Sequence, residues 1–170
     1  MRWLPLTILA LGIMVLQTVI APRIELYGAR PDWLLVLVVL AALYAEGFEV
    51  VFAAWAIGAV ADLGTLDPPG LMSISYALAA LLVYSGREFV FRYQAVTQFA
   101  VAFVVTLVVQ IGWAVYRRVM LPEAAWAGAG EILGASLYTA AFAPLLGRGM
   151  LSMSRLLGLP RRRYTYQGLV

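Results

Sequence analysis

Histidine, cysteine and lysine are all absent from this 170-residue sequence. Without His and Cys the chain has no Ser-His-Asp or Cys-His catalysis, no thiolate or imidazole metal ligands, no disulfides, and no haem or iron–sulfur cluster held by these residues. Without Lys it forms no Schiff base and has no P-loop lysine. The nine acidic residues are scattered and show no EF-hand spacing. The sequence therefore predicts no catalytic residue, no cofactor and no metal.

Charge is also scarce. Charged residues make up 12% of the chain, whereas hydrophobic residues make up 64%. Soluble domains contain about 25% charged and about 45–50% apolar residues. A soluble protein of this size cannot cover itself with so little polar surface. At about 20 residues for each membrane span, the apolar material is enough for five or six helices and little else. We therefore predict an all-α integral membrane protein.

Loops divide the chain into six predicted spans. These cover residues 3–20, 31–45, 48–63, 70–84, 94–116 and 130–146. The second and third spans are separated at Glu46-Gly47-Phe48-Glu49, because two carboxylates and a glycine favour a tight turn. A charge at the bilayer centre costs about 2.5–3.5 kcal/mol. The alternative is five spans, with one long helix that buries Glu46. In the six-span prediction, residues 1–147 form one transmembrane domain. A basic cytoplasmic tail (148–170) follows, with a candidate interfacial helix at 150–159.

The arginines predict an orientation. Six spans place both termini, the turn at 46–49 and the loop at 85–93 on one side of the membrane. That side holds eight of the twelve arginines, and the four on the other side are Arg23, Arg30, Arg117 and Arg118. The positive-inside rule then places both termini in the cytoplasm. The net charge of +3 thus indicates basic cytoplasmic loops rather than a nucleic-acid partner.

Asp62 is the most suggestive ionisable residue, because it lies near the end of an apolar span. We favour a structural role, in which its carboxylate accepts hydrogen bonds and fixes the proline-containing loop at 64–70. Proton or cation coupling is the second interpretation. An aspartyl protease is the third, and it lacks both a second intramembrane aspartate and a Gly-x-Gly-Asp motif.

Other groups have two interpretations each. Two faces of small residues either pack inside the protein or receive a partner's helix. They are Ala41, Ala42 and Ala45, and Gly58, Ala59 and Ala61. Gln110 and Thr106 share a helix face and are expected to form interhelical hydrogen bonds. The run Arg161-Arg162-Arg163 is either a topology anchor in contact with anionic lipid or a docking site for a cytoplasmic protein.

Four short segments together carry a family resemblance. The first is Arg30-Pro31-Asp32-Trp33-Leu34-Leu35, at the start of the second predicted span. The others are the stretch from Gly58 to Gly64, with Asp62-Leu63 inside it, then Pro69-Gly70-Leu71 and Ser75-Tyr76-Ala77-Leu78. The first segment resembles the opening of the second span in the MreD family, and the others resemble that family's G-x-x-x-D-L, loop-glycine and Y-A-L pattern. The matching site residues are Arg30, Pro31, Asp32, Gly58, Asp62, Gly70 and Tyr76. The family often has a histidine after the loop glycine, where this chain has Met72 and Ser73.

The resemblance implies a non-catalytic scaffold in the bacterial inner membrane, within the rod or elongasome machinery that organises peptidoglycan synthesis. It implies an MreC-like bitopic partner, and connections to the MreB filament, the RodA glycosyltransferase and a class B penicillin-binding protein. It also implies a compact six-helix bundle similar to the S-components of vitamin transporters.

Such a substrate-binding S-component is the alternative function. Its outward-facing pocket would be lined by Arg23, Arg30, Asp62, Asp67 and Tyr76. The first span lacks the Ala-x-x-x-Ala contact motif that S-components tend to carry. A small proton-coupled exporter is a third class, and it would need Glu46 to be deeply buried.

Overall fold

The computed structural model describes residues 3–25, 29–45, 47–64, 68–89, 94–120 and 128–153, and these residues form helices without any β-strand. The helices are α1 (Trp3–Ile20), α2 (Trp33–Tyr44), α3 (Glu49–Asp62), α4 (Leu71–Gly86), α5 (Ala95–Met120), α6 (Ala129–Ala141) and α7 (Ala143–Ser152). Short 3₁₀ turns follow α1 and α4. The prediction of an all-helical fold is confirmed for the part of the chain that the structure describes.

Within the described ranges, three helical stretches are long and apolar enough to cross a membrane. They are Leu4–Arg23, Ala95–Met120 and the combined α6–α7 stretch Ala129–Ser152. At 1.5 Å per residue, the 26 residues of α5 extend over about 39 Å. Helices α2 and α4 are apolar but shorter.

Helix α2 forms the centre of the bundle. All twelve of its residues are buried, and it contacts each of the other six α-helices. Its sequence is apolar on every side, which is the pattern of a helix surrounded by protein. At about 18 Å, α2 is much shorter than α5. Its ends therefore lie inside the protein, where the free N–H and C=O groups of its terminal turns need internal partners.

Hydrogen bonds between helices give their relative directions. Tyr76 in α4 bonds to Asp32 at the start of α2, and Arg87 after α4 bonds to the carbonyl of Ala45 at the end of α2. Helices α2 and α4 are therefore parallel. Gln17, near the end of α1, accepts a hydrogen bond from the start of α2. Gln98, near the start of α5, donates a hydrogen bond to Tyr44 at the end of α2. Helices α1 and α5 thus run in the opposite direction, as in an up-and-down bundle.

The predicted division at residues 46–49 is confirmed as a break between helices. Helix α2 ends at Tyr44 and α3 begins at Glu49, with Phe48 at its N-cap. Glu46 lies outside the described residues. Because of this break, α2 and α3 are two short helices rather than one long helix. The chain reverses between them, so the end of α3 and the start of α4 lie at the same end of the bundle as the start of α2.

The last helix differs from its predicted end at residue 146. The chain turns at Phe142 and continues as α7 to Ser152, with Ala143, Gly147 and Met150 buried. Pro144 explains the turn, because its ring removes one backbone donor and clashes with the preceding turn, yet fits the first turn of a new helix. Residues 154–159 of the predicted interfacial segment and Arg161, Arg162 and Arg163 lie outside the described residues.

Candidate functional site at the junction of α2, α3 and α4

Asp62 joins the end of α3 to the start of α4. It is only 8% exposed, and its carboxylate accepts hydrogen bonds from the backbone N–H groups of Gly70 (3.0 Å), Met72 (2.9 Å) and Ser73 (3.1 Å). It also accepts one from the Ser73 hydroxyl, at 2.7 Å. The first N–H groups of a helix have no partner within the helix, and the helix dipole favours a negative charge beside them. Asp62 therefore caps α4 from the preceding helix.

Gly70 is the N-cap residue of α4 and cannot cap the helix with a side chain of its own. Its φ of +95° lies in the left-handed region, where a residue with a Cβ is strained. This backbone conformation ends the loop from α3. Asp62 supplies the oxygen acceptors that an N-cap Ser or Asp normally provides.

Gly58 allows the backbones of α3 and α4 to touch. A Cβ at this position would lie 2.5 Å from the Cα of Ser73 and 2.7 Å from the carbonyl oxygen of Met72. Gly58 lies one turn before Asp62, so both residues are on the same face of α3. The four-residue spacing of the motif thus places a close contact and a cap against the same turn of α4.

Asp32 caps the buried start of α2. Its carboxylate accepts hydrogen bonds from the Leu35 N–H (3.0 Å), from the Tyr76 hydroxyl (2.8 and 2.9 Å to its two oxygens) and from the Gln17 amide (3.3 Å). Gln17 also accepts a hydrogen bond from the Leu34 N–H, at 3.0 Å. The N–H of Asp32 itself donates to the Thr139 hydroxyl, at 3.1 Å. Side chains from α1, α4 and α6 thus satisfy polar groups at the start of α2.

Helix α4 links the two aspartates. Ser73 binds Asp62 and Tyr76 binds Asp32, and these two residues lie on one face of α4 because they are three positions apart. The structure therefore brings Asp32, Gly58, Asp62, Gly70 and Tyr76 into one connected site. Pro31 is buried beside Asp32.

Arg30 lies at the edge of this site. Its side chain is 63% exposed, and its Nε is 2.5 Å from a carboxylate oxygen of Glu25. Surface ion pairs of this kind contribute about 0–1 kcal/mol to stability. Arg30 is thus available to act in recognition as well as in packing.

A cleft of about 430 Å³ lies over Asp32. Arg30 and Tyr76 line it, as the transporter alternative expects, but Arg23 and Asp62 do not. The predicted pocket is therefore wrong for Asp62, because the start of α4 covers its carboxylate. Asp67 lies outside the described residues.

Sequence reasoning missed three uncharged residues of the site, Gln17, Ser73 and Thr139. Their signal is weak, since it consists only of a polar side chain in an apolar helix. The expected interhelical hydrogen bond of Thr106 is wrong, because Thr106 is fully buried and its hydroxyl has no partner in the described part of the chain. Gln110 lines the cleft, and its interhelical hydrogen bond stays a prediction.

The small-residue faces pack mainly inside the protein. Ala41, Ala42 and Ala45 are buried within the core around α2, and Gly58 and Ala61 are buried on α3. These residues let the helices of this chain approach one another closely. They are therefore occupied before any partner binds.

The Tyr76 hydroxyl is expected to contribute measurably to stability. Tyr76→Phe removes the hydrogen bond that the hydroxyl shares between the two carboxylate oxygens of Asp32, so we expect the free energy of unfolding to fall by about 1.5–3 kcal/mol. Thermal unfolding of the purified protein in detergent measures this loss. Tyr116→Phe is the matched control, because no hydrogen bond of the Tyr116 hydroxyl is found within the described residues. Equal melting temperatures for Tyr76→Phe and Tyr116→Phe would contradict the prediction.

Comparison with curated proteins and with solved structures finds no match. One family model matches, described as rod shape-determining protein MreD, and it covers residues 1–129, about three quarters of the chain. The matched region includes helices α1 to α5 and every residue of the connected site except Thr139. The resemblance predicted from the short motifs is therefore confirmed, and the chain belongs to the MreD family of rod shape-determining membrane proteins.

Proposed function

We propose that this protein is a non-catalytic scaffold subunit in the bacterial inner membrane. In this role it binds an MreC-like bitopic protein and helps to organise peptidoglycan synthesis, together with the MreB filament, RodA and a class B penicillin-binding protein. The family match over residues 1–129 carries the proposal. The proposed function involves no cofactor, no metal and no nucleic-acid partner.

The geometry of the site supports a structural use of the motif residues. The carboxylates of Asp32 and Asp62 accept hydrogen bonds from backbone N–H groups at the starts of α2 and α4. Because Gly58 has no side chain, α3 packs directly against the backbone of α4. These contacts fix the relative positions of three helices, and a scaffold needs a fixed surface if it is to hold its partners in register.

The partner's single span needs a surface other than the small-residue faces, which are already buried. Helix α1 offers one, because Leu4, Ile8 and Val15 are more than half exposed. An apolar groove of about 190 Å³ runs between α1 and α3 and is lined by Ala10, Leu11, Ala53 and Ile57, among others. Helices α4 and α5 expose apolar faces as well.

Cysteine cross-linking tests the proposal cleanly, because the chain contains no cysteine. Ile8→Cys, Ile74→Cys and Val108→Cys place one thiol on α1, α4 and α5 respectively, each at an exposed position. Ala80→Cys is the buried control. Purification in gentle detergent should recover an MreC-like protein, and one exposed position should give an adduct with its span. Recovery without any such protein would contradict the scaffold proposal.

The orientation is a separate prediction. Arginine counting places both termini in the cytoplasm, with the tail arginines Arg161, Arg162 and Arg163 in contact with anionic lipid or a cytoplasmic protein. An alkaline phosphatase reporter at the C-terminus should therefore be inactive. The same reporter inserted at residues 121–127, between α5 and α6, should be active. An active C-terminal fusion would overturn the six-span orientation.

The cleft over Asp32 favours one second candidate, a substrate-binding subunit of a vitamin transporter. Its polar lining includes Arg30, Gln17 and Tyr76, and ligand sites combine apolar walls with a few such groups. The same purification separates the two functions. A co-purifying vitamin, or an ATPase together with its coupling subunit, would indicate transport.

A further inference from the structure

One side of α3 is exposed and rich in aromatic side chains. Phe48, Phe52 and Trp55 are all exposed, and their spacing of four and three residues places them in one row along the helix. Ala56 and Ala59 continue this row towards the end of α3, and Ala56 is exposed whereas Ala59 is half-buried. We call these five residues the α3 face.

The aromatic rings at the start of the α3 face are held in place by their neighbours. The Phe48 ring packs edge-to-face against Phe52, with 6.0 Å between the ring centres, and against Tyr84 of α4, with 5.7 Å. The guanidinium of Arg87 lies 3.9 Å from the centre of the Tyr84 ring. Side chains that are already ordered lose little conformational entropy when a partner packs on them. The α3 face is therefore preorganised for binding.

Trp55 lies in the middle of α3, which runs from one end of the bundle to the other. It is the seventh of the 14 residues of α3, so about 10 Å separate it from each end of the helix. The whole helix extends over about 21 Å, whereas the hydrocarbon core of a bilayer is about 30 Å thick. Water and lipid headgroups therefore lie beyond both ends of α3. Tryptophan is normally enriched at the membrane interface, where its N–H reaches polar groups, and Trp55 does not have that position.

The indole N–H of Trp55 needs an acceptor from outside the chain. The side chain is 53% exposed, and its N–H has no hydrogen-bond partner among the described residues. An unsatisfied N–H group in hydrocarbon is costly. Lipid acyl chains contain no acceptor that could satisfy it. The acceptor therefore belongs to another membrane-embedded protein segment.

A second copy of this chain does not supply that acceptor through the α3 face. A symmetric dimer would place the same face of both copies together. The indole N–H only donates, and the side chains of phenylalanine and alanine have no polar atoms. Such a dimer would leave both indoles unsatisfied. The acceptor therefore comes from a different protein, and Ser, Thr, Asn and Gln are the side chains that form hydrogen bonds between membrane helices.

We propose that the α3 face binds the single span of the MreC-like partner, and that an acceptor side chain near the middle of that span takes the hydrogen bond of the Trp55 indole. This inference rests on the proposed scaffold function, which supplies the partner. The partner's helix approaches α3 most closely at Ala56 and Ala59, because small residues let membrane helices pack closely. Ala56 also lines the apolar groove between α1 and α3, so the α3 face is continuous with that groove. Tryptophan and arginine are enriched among the residues that dominate binding energy at interfaces.

Titration of the partner tests the hydrogen bond. The full chain is immobilised in gentle detergent and titrated with the purified MreC-like protein, its span intact, by biolayer interferometry. Trp55→Phe keeps an aromatic ring and removes the N–H, so it should weaken binding about fivefold, the size expected for one neutral hydrogen bond. Trp55→Ala should weaken it about thirtyfold, as for an aromatic anchor. Trp55→Phe should leave the melting temperature of the isolated chain unchanged.

Trp113→Phe is the matched control for loss of an indole N–H. The Trp113 indole donates to the Ser75 hydroxyl of the same chain, at 3.1 Å. Its removal should therefore lower the melting temperature of the isolated chain and leave the affinity for the partner at the wild-type value. The two substitutions thus separate a donor used in binding from a donor used in folding.

Photo-crosslinking locates the partner without changing Trp55. Because the chain has no cysteine, Ala56→Cys places a single thiol on the α3 face, and Val108→Cys places one at an exposed position of α5. Each thiol is labelled with benzophenone maleimide in the complex with the MreC-like protein and irradiated. Ala56→Cys should give an adduct with the partner's span, and Val108→Cys should give much less.

Each outcome decides the proposal. Wild-type affinity of Trp55→Phe, or equal adduct yields from Ala56→Cys and Val108→Cys, would overturn the α3 face as the binding surface and leave the scaffold function intact. If the wild-type chain does not bind the MreC-like protein at all, the scaffold function and the α3 face are both wrong. An adduct between two copies of this chain at Ala56→Cys would assign the α3 face to self-association instead.

Discussion

Gly58→Ala is expected to lower the melting temperature of the protein by roughly 6–12 °C. The added methyl group would lie 2.5 Å from the Cα of Ser73, and backbone cannot move aside as a flexible side chain can. Overpacking of a core costs about 1–3 kcal/mol, and we expect the upper end of this range. For a chain of this size, each kcal/mol corresponds to about 2–4 °C. Thermal unfolding in detergent measures the change.

Gly112→Ala is the matched control for this substitution. Gly112 lies inside α5, and a Cβ there would meet nothing within 4 Å. Alanine is favoured over glycine in a helix interior by about 0.5–1 kcal/mol, so this variant should be neutral or slightly more stable. If both alanine variants unfold at the wild-type temperature, α3 and α4 do not meet at Gly58 as closely as the structure indicates.

Asp62→Ala is expected to destabilise the protein by about 3–5 kcal/mol, since each buried donor left without a partner costs about 1–3 kcal/mol. The substitution removes the acceptor of three N–H groups and one hydroxyl at the start of α4. Asp62→Asn keeps one carbonyl oxygen and should lose less. Ser73→Ala removes only the hydroxyl donor and should lose least. The graded series is read from melting temperatures and from the amount of folded protein in the membrane.

Glu131→Gln is the control for loss of a negative charge at a helix start. Glu131 lies in the first turn of α6 and is exposed, so its removal should change stability by less than about 1 kcal/mol. Asp62→Asn should also reduce the recovery of the partner protein, because it loosens the junction of α3 and α4. Wild-type abundance and partner recovery together with the loss of a transport activity would instead assign Asp62 to ion coupling.

Composition and a few local patterns were enough to predict much of this protein. The shortage of charge predicted a helical membrane protein, and the Glu46-Gly47-Phe48-Glu49 sequence predicted the break between α2 and α3. Both signals can be seen in the sequence alone. A span needs a run of apolar residues, and the charged residues of the turn are unfavourable at the bilayer centre. The short motifs around Asp32, Asp62 and Tyr76 predicted the MreD family, which the family match confirms.

The tertiary structure decided which helix lies at the centre and which polar groups meet. Helices α1 and α2 are both strongly apolar, yet α2 is entirely buried whereas α1 is largely exposed. Hydropathy cannot separate these two cases in a membrane, because lipid and protein interior are equally apolar. For the same reason, the sequence could not show that Gln17 and Thr139 meet the start of α2, or that Gln110 faces a cleft. Those contacts join residues far apart in the chain, so only the packing of the helices determines them.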